Sequence, residues 1–324
     1  MTTVLHGLEA LPLDDRSSIV TIGKFDGVHR GHRAVLDGMR ERAGDRRVVV
    51  VTFDRHPAAV LAPDRAPAPL LSVAQKTEAL IAAGADLVVV LPFTRELAAQ
   101  SPEEFVRAVL VDGLHAAEVV VGSDFRYGAR GAGTVDTLRE EGERFGFTVE
   151  VLDDVCVLDG QRVSSTSIRE ALDAGRLDEA TEALGRYPRI RSLVVPGHQR
   201  GRDLGYPTAN LAHNAEGYIP ADGVYATWLH VDGVRYPAAT SVGNNPTFGD
   251  VPDKTIEAHA MDVRLDLYGK VVELEFVRWM RGMQKFPSAE ALATQMGVDE
   301  QQIRAVLGVP VPPAAGSEPT AAHA

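Results

Sequence analysis

The sequence predicts an α/β protein of two domains: a doubly wound parallel sheet, then a smaller antiparallel β-barrel with a terminal helix. Three observations carry this. Apolar runs in the first half are continuous rather than alternating, with helix start signals between them, as expected of strands buried on both faces. Near 186–190 (GRYPR) the segments shorten and turn residues increase. Beyond that point Asp232-Gly233 separates two β-rich runs, YATWLHV and VRYPAAT, which is a hairpin signal. A chain of 324 residues suits two domains and can bury a full core in each.

In chain order, strands are expected at SIVTIG, RRVVVVTF, DLVVVLPF, AEVVVG and FTVEVL. Helix starts are expected at Ser72 with Gln75, at Ser101 with Glu104 and Pro102, and at Ser167 with Glu170, the last helix closing near Gly175. In the second part LDLYGKVVELEFV reads as a further strand pair around Tyr268-Gly269. A helix is expected from about Ser288 to Leu307, broken near Gly297. The expected boundaries are 1–186 for the α/β domain, 187–308 for the barrel and helix, and 309–324 for a Pro/Ala/Gly-rich disordered tail.

The net charge is −12 and no basic stripe is visible, so nucleic acid is not an expected partner. The one cysteine, Cys156, lies in an apolar stretch and is expected to be a packing residue in a reducing compartment. The first residues lack a basic region followed by an apolar core, and no apolar stretch approaches the ~20 residues of a membrane span. A soluble cytoplasmic protein without a membrane partner is expected. Self-association as a homo-oligomer is compatible with the sequence, which specifies no interface.

TIGKFDGVHRGH, residues 21–32, places His29 and His32 around Gly31 where a strand gives way to a helix. Phosphates seek backbone N–H donors, a helix N-terminus and cations. The turn supplies the first two and the imidazoles the third, while Gly31 allows close approach. Alone, His-x-Gly-His is a weak signal, since two histidines can also cap a helix or bind a metal. A second stretch, SSTSIREAL at 164–172, brings hydroxyls and Arg169 to another strand-to-helix junction, where they too suit phosphate.

FDGVHRGH with SSTSIR resembles the nucleotidyltransferase superfamily and its HxGH and ISSTxIR-type motifs. The resemblance implies that His29 and His32 stabilise adenylyl transfer, with Gly23, Phe25, Gly31, Ser165, Thr166 and Arg169 at the ATP phosphates. TFDRHP (52–57) and VGSDFRYG (121–128) are similar to segments of the FAD synthetase branch, which implies flavin contacts at His56, Asp124 and Phe125. Arg55 stands where the family pattern has proline, Ser123 where it has an acidic residue, and Ser164 follows valine rather than isoleucine. None of these removes a phosphate-binding group. Lys24 reads as solvent-facing and Asp26 as structural or an aid to magnesium.

In the second part, GRDLGYPTANL (201–211) sets Thr208 and Asn210 two residues apart, so an extended chain points both the same way. Such oxygens beside phosphates suit Mg²⁺, and Gly201 and Gly205 permit close approach to phosphate. No Walker A motif is present, because GARGAGT lacks the lysine. TIEAHAMD (255–262) puts Glu257 on a strand with His259 on the same face, where a carboxylate could accept a hydroxyl proton. With GVYAT, SVGNNPTFG and WMRGMQKF, these stretches resemble the riboflavin kinase domain. The resemblance implies Thr208 and Asn210 at magnesium with ATP, Glu257 as base for the ribityl hydroxyl, Gly201, Gly205 and Pro207 at the ATP phosphates, and Arg281 at the flavin. Asn244 replaces a more usual threonine beside an intact NPTF.

Both motif sets, in order over about residues 15–308, resemble the bacterial bifunctional riboflavin kinase/FAD synthetase family. The implied chemistry is phosphorylation of riboflavin by ATP to FMN, then adenylylation of FMN by a second ATP, releasing pyrophosphate. The residues alone leave two other readings open. The α/β domain could be impaired or use another nucleotide or acceptor, since HxGH chemistry also serves cytidylyl transfer and pantetheine phosphate adenylylation. Alternatively the chain could be a flavin-binding regulatory module without turnover, which the retained Glu257, Thr208 and Asn210 argue against.

Overall fold

A computed structural model describes residues 3–9, 11, 15–152, 157–158, 161–197, 206–243 and 254–310. The chain divides into two compact units, Met1–Arg169 with Ala183–Gly185, and Glu170–Glu182 with Arg186–Ala324. The predicted tail, apart from residues 309–310, lies outside the described residues, as does Cys156.

The first unit is built on a six-stranded sheet of β1 (Thr3–His6), β2 (Ser18–Ile22), β3 (Arg47–Phe53), β4 (Leu87–Leu91), β5 (Ala116–Gly122) and β6 (Thr148–Leu152). The order is β1-β4-β3-β2-β5-β6 and every ladder is parallel. The five strands expected from the apolar runs are all present. The edge strand β1 was missed, because four residues are too few to show a pattern. Neighbouring valines of β3 turn to opposite faces. Val49 and Val51 pack with Leu110, Leu138 and Phe147, whereas Val48 and Val50 pack with Leu36, Met39 and Leu80. Both faces are therefore covered, which is why these strands read as unbroken apolar runs.

The helices that precede the barrel in the chain are α1 (Arg30–Ala43), α2 (Ala58–Leu61), α3 (Val73–Ala82), α4 (Arg95–Ala99), α5 (Pro102–Phe105), α6 (Val135–Phe145), α7 (Ser165–Asp173) and α8 (Leu177–Leu184), the last two lying partly or mostly in the second unit. Reciprocal capping boxes form at Ser72/Gln75 and at Ser101/Glu104, as expected. The expected Ser167/Glu170 box does not form. Helix α7 starts earlier, and Ser164 and Ser167 cap each other: each hydroxyl accepts from the other's backbone N–H, at 3.1 and 3.2 Å. A run of hydroxyl residues offers several caps, and the first one able to reach wins. At the other end Arg176 N–H donates to Ala171 O and Gly175 N–H to Leu172 O, with Gly175 at φ +71°, closing α7 where the glycine predicts.

The second unit holds a closed antiparallel barrel of β9 (Arg189–Val195), β10 (Ala209–Leu211), β11 (Gly223–Val231), β12 (Val234–Gly243), β13 (Thr255–Ala260) and β14 (Val271–Arg281), in the order β9-β10-β13-β12-β11-β14. A short pair, β7 (Val157–Leu158) and β8 (Gln161–Arg162), precedes α7. The β11–β12 hairpin turns at Asp232 and Gly233, both at positive φ (+51° and +76°), as a type I′ turn requires. Val224 and Ala226 of β11 pack outward on Ile303 of α9 (Ala289–Leu307), while alternate residues turn inward, with Tyr225 edge-to-face on Phe276 at 5.1 Å. Two expectations fail here. Only the strand after Tyr268-Gly269 forms, because β9 and β11 already occupy both edges of β14. Helix α9 runs through Gly297 unbroken, since one glycine costs only ~1 kcal/mol.

Candidate active sites

In an open α/β sheet, ligands bind beyond the carboxyl ends of the strands where the connections change direction. Here the chain leaves β2 toward β3 and β4, then returns to the other side of β2 for β5 and β6. The segment following β2 is Gly23–His29. Phe25, Gly27 and Val28 all have positive φ (+48°, +83° and +41°). For a β-branched residue such as Val28 that conformation is an outlier, held by its surroundings. Phe25 and Val28 are buried against the face of the sheet that α1 and α3 cover.

This turn is tied down on several sides. The Asp26 carboxylate accepts from Leu70 N–H at 2.8 Å and pairs with the Arg169 guanidinium. Ser165 Oγ donates to Asp26 O at 2.9 Å. Arg169 also donates from Nε to Ala68 O at 2.7 Å and from Nη1 to Ser165 O at 3.1 Å. The hydroxyl/Arg motif and the histidine loop thus meet through Asp26. Three of the five Arg169 N–H donors are thus engaged by the protein, and both Asp26 carboxylate oxygens have protein partners.

His29 is the N-cap residue of α1, but its side chain makes no cap hydrogen bond, and no acidic side chain lies in the first turn. The imidazoles of His29 and His32 stack with centroids 3.6 Å apart and planes 19° from parallel, and Phe25 leans on His32 at 5.0 Å. The helix's positive end and two imidazoles therefore converge without a protein carboxylate in that turn, a setting suited to an anion. Gly31 lies in the first turn of α1 and Thr166 is exposed in the first turn of α7. A Cβ on Gly23 would come within 3.1 Å of the Phe25 ring. Lys24 is exposed, as expected.

The remaining residues predicted for this unit follow β3 and β5. His56 is half-buried; burial holds its imidazole below the usual range, helped by the charges of Lys24 and Arg169 and opposed by Asp26. Its Nδ1 accepts from Ala58 N–H at 3.1 Å, so Nε2 carries the proton of the neutral ring. Asp124 is exposed, 3.5 Å from Arg162, and Phe125 stacks on Tyr127 at 5.5 Å. Sequence reasoning missed Lys76 of α3, which is buried and donates from Nζ to Phe53 O at 2.7 Å and to Lys24 O at 3.4 Å. A lysine one residue beyond a capping box reads as surface, and nothing in the local pattern marks it otherwise.

In the barrel, β13 lies between β10 and β12. Glu257 pairs in register with Asn210 on one side and Ser241 on the other. Thr208 Oγ1 donates to Glu257 Oε2 at 3.4 Å. A Cβ on Gly197 would fall 2.2 Å from the Asn210 amide, so glycine is required there. His259 Nδ1 lies 2.9 Å from Pro207 O; a carbonyl only accepts, so this nitrogen carries the proton. Thr208, Asn210, Glu257 and Pro207 are thus neighbours. Arg281 belongs to another constellation: Asp299 of α9 accepts from its Nε at 2.9 and 3.1 Å and from Nη2 at 2.6 Å. Gly201, Gly205 and Asn244 lie outside the described residues.

Two family models match, FAD synthetase over residues 11–167 and riboflavin kinase over residues 184–307. The bifunctional riboflavin kinase/FMN adenylyltransferase of Pseudomonas fluorescens is 39% identical over 94% of this chain and 97% of its own length. The protein of that name from Escherichia coli K12 is 35% identical over 95% of this chain and 98% of its own. A crystal structure described as a macrolide-efflux protein from Streptococcus pneumoniae superposes with TM-score 0.83 at 31% identity, covering 94% of this chain and 98% of that one. With the stacked histidines at the head of one sheet and the Thr208/Asn210/Glu257 cluster on the barrel, the chain belongs to the bifunctional riboflavin kinase/FMN adenylyltransferase family, an enzyme that makes FMN from riboflavin and FAD from FMN, with ATP as co-substrate in both reactions.

Proposed function

We propose that the two reactions are divided between the two sites just described, adenylylation within residues 1–186 and phosphorylation within 187–308. In the first, an FMN phosphate oxygen attacks the α-phosphorus of ATP and pyrophosphate leaves. The FMN phosphate is already ionised near neutral pH, so positioning and charge stabilisation dominate over base catalysis. His29 and His32 receive the charge of the transferring and leaving phosphates. Gly23, Phe25 and Gly31 shape the phosphate turn, with Ser165 and Thr166 at its flank. Arg169 holds Asp26 with one of its five N–H donors and has others left to direct at the ATP phosphates. His56, Asp124 and Phe125, beyond the ends of β3 and β5, line the flavin side.

In the second reaction Glu257 takes the proton of the ribityl 5′-hydroxyl as its oxygen attacks the γ-phosphorus and ADP departs. The hydroxyl, amide oxygen and carboxylate of Thr208, Asn210 and Glu257 form a hard-oxygen donor set, which fits Mg²⁺. Thr208 and Asn210 would hold the ion, which supplies neutralisation of phosphate charge. Gly201, Gly205 and Pro207 lie along the ATP phosphates, and Arg281 borders the flavin. The net charge of −12 speaks against a nucleic-acid partner, and the enzyme is taken to be cytoplasmic without a membrane partner. Among the described residues, no helix is long and apolar enough to cross a membrane.

The stacked His29/His32 pair at the start of α1 carries the assignment of the first site. The test is chromatography of products from riboflavin, ATP and Mg²⁺. His29→Ala should abolish FAD while FMN still accumulates. Glu257→Gln should stop FMN formation while FAD still forms from supplied FMN. Loss of both activities in a folded single variant would overturn the division into separate sites.

A further inference from the structure

Lys76 has no part in the chemistry above, yet it is a lysine buried to 8% exposure in the first unit. Burying an ammonium is costly unless something specific holds it. Its direct acceptors are two backbone carbonyls, Phe53 O at 2.7 Å and Lys24 O at 3.4 Å. One is the last residue of β3, leading to His56. The other lies two residues beyond β2, at the start of the strained turn that leads to His29. The Asp26 and Asp54 carboxylates add favourable charge, and burial alone drives the ammonium toward neutrality. The Ser72/Gln75 capping box sets where α3 begins, and so where Lys76 points. Thr52 Oγ1 donates to the same Lys24 carbonyl at 3.1 Å. The turn is therefore gripped at Lys24 by Lys76 and Thr52, and at Asp26 by Leu70, Ser165 and Arg169.

We propose that Lys76 is a positioning residue for adenylyl transfer, its ammonium bridging the carboxyl ends of β2 and β3 so that the His29/His32 turn and the His56 segment keep one fixed separation. The proposal rests on the assignment of the histidines to the triphosphate. A neutral side chain of similar length would fill the space but leave both carbonyls without that donor. The turn could then relax toward less strained backbone, carrying the imidazoles with it. A displacement of about 1 Å at a reacting centre can cost ~100-fold in rate.

The test uses the full-length chain, with kcat and KM for ATP and FMN measured in FAD formation and riboflavin kinase activity measured on the same preparation. Lys76→Met is expected to lower kcat of FAD formation about 30- to 100-fold, with KM for ATP changed less than about threefold and the kinase unaffected. Lys76→Arg, which keeps charge and several donors, should recover the rate to within about tenfold of wild type. Wild-type kcat in Lys76→Met would overturn the proposal. So would loss of the cooperative melt in both variants, because Lys76 would then be a general stability element. His29→Ala run in parallel separates the two ideas. If it forms FAD normally, the histidine assignment fails. If it is inactive while Lys76→Met is not, only the role of Lys76 fails.

Discussion

Replacing Gly27 by alanine should disable FAD formation and spare FMN formation. Gly27 sits at φ +83°, where an L-residue loses about 1–2 kcal/mol. Its new Cβ would lie 2.8 Å from Leu70 Cδ1 and 3.5 Å from Leu184 Cδ2. Carbon contacts settle near 3.5–4.0 Å, so Leu70 must retreat by about 1 Å. Leu70 is buried, and its N–H is bound to the Asp26 carboxylate at 2.8 Å, so the retreat pulls on the turn itself. Overpacking of this kind costs about 1–3 kcal/mol. Together the terms come to roughly 2–5 kcal/mol, a large share of a domain's 5–15 kcal/mol. In the fraction that stays folded, displacement of the histidines should lower the FAD rate ~100-fold. The assay is a thermal melt with both activities measured on one preparation. FAD formation within about twofold of wild type, together with an unshifted melt, would refute the claim that the turn's geometry sets the rate.

Arg169→Lys should weaken FAD formation by tenfold or more with the kinase retained, because one ammonium cannot span Asp26, Ala68 O and Ser165 O, which the guanidinium reaches in three directions. Equal rates for both chains would count against the clamp. Asp299→Asn leaves the half-buried Arg281 guanidinium short of its buried counter-charge, an expected loss of about 2–4 kcal/mol read in the melt of the barrel, with FMN formation impaired and FAD formation from supplied FMN unchanged. The Arg304 guanidinium, bonded at 2.8 and 2.5 Å, holds the Asp262 carboxyl below its ordinary 3.8. A carboxyl depressed in the folded state stabilises above its unfolded value and loses that contribution as pH falls through the folded one. Wild-type melting temperature should therefore drop more steeply below about pH 4 than that of Asp262→Asn, while at pH 7 the variant is the less stable; parallel acid limbs would contradict this.

The four central strands were legible because a sheet covered on both faces needs every residue apolar, and the edge strand β6 because its alternate valines still mark a strand. The type I′ hairpin was legible because Asp-Gly tolerates two positive φ angles. Reciprocal caps were read correctly where one hydroxyl faced one partner. They were misplaced at α7, where four consecutive hydroxyl residues compete. The strand before Tyr268 had the right composition, but whether a strand pairs depends on free edges, which composition does not encode. The same holds for Gly297, whose ~1 kcal/mol cost is offset by packing along the helix.

The amino-acid sequence by itself determined the two architectures, their order, and the residue types that phosphate and hydroxyl chemistry require: two imidazoles at a helix start, Thr208 and Asn210 two apart, Glu257 on a strand. Tertiary structure alone decided what each of these touches. Arg169 binds Asp26, Arg281 binds Asp299, and Lys76 reaches the Phe53 and Lys24 carbonyls at the ends of β3 and β2. Local patterns carry periodicity and caps within a few residues. Pairings such as Asp26 with Arg169, 143 residues apart, arise only when the sheet brings strand ends together.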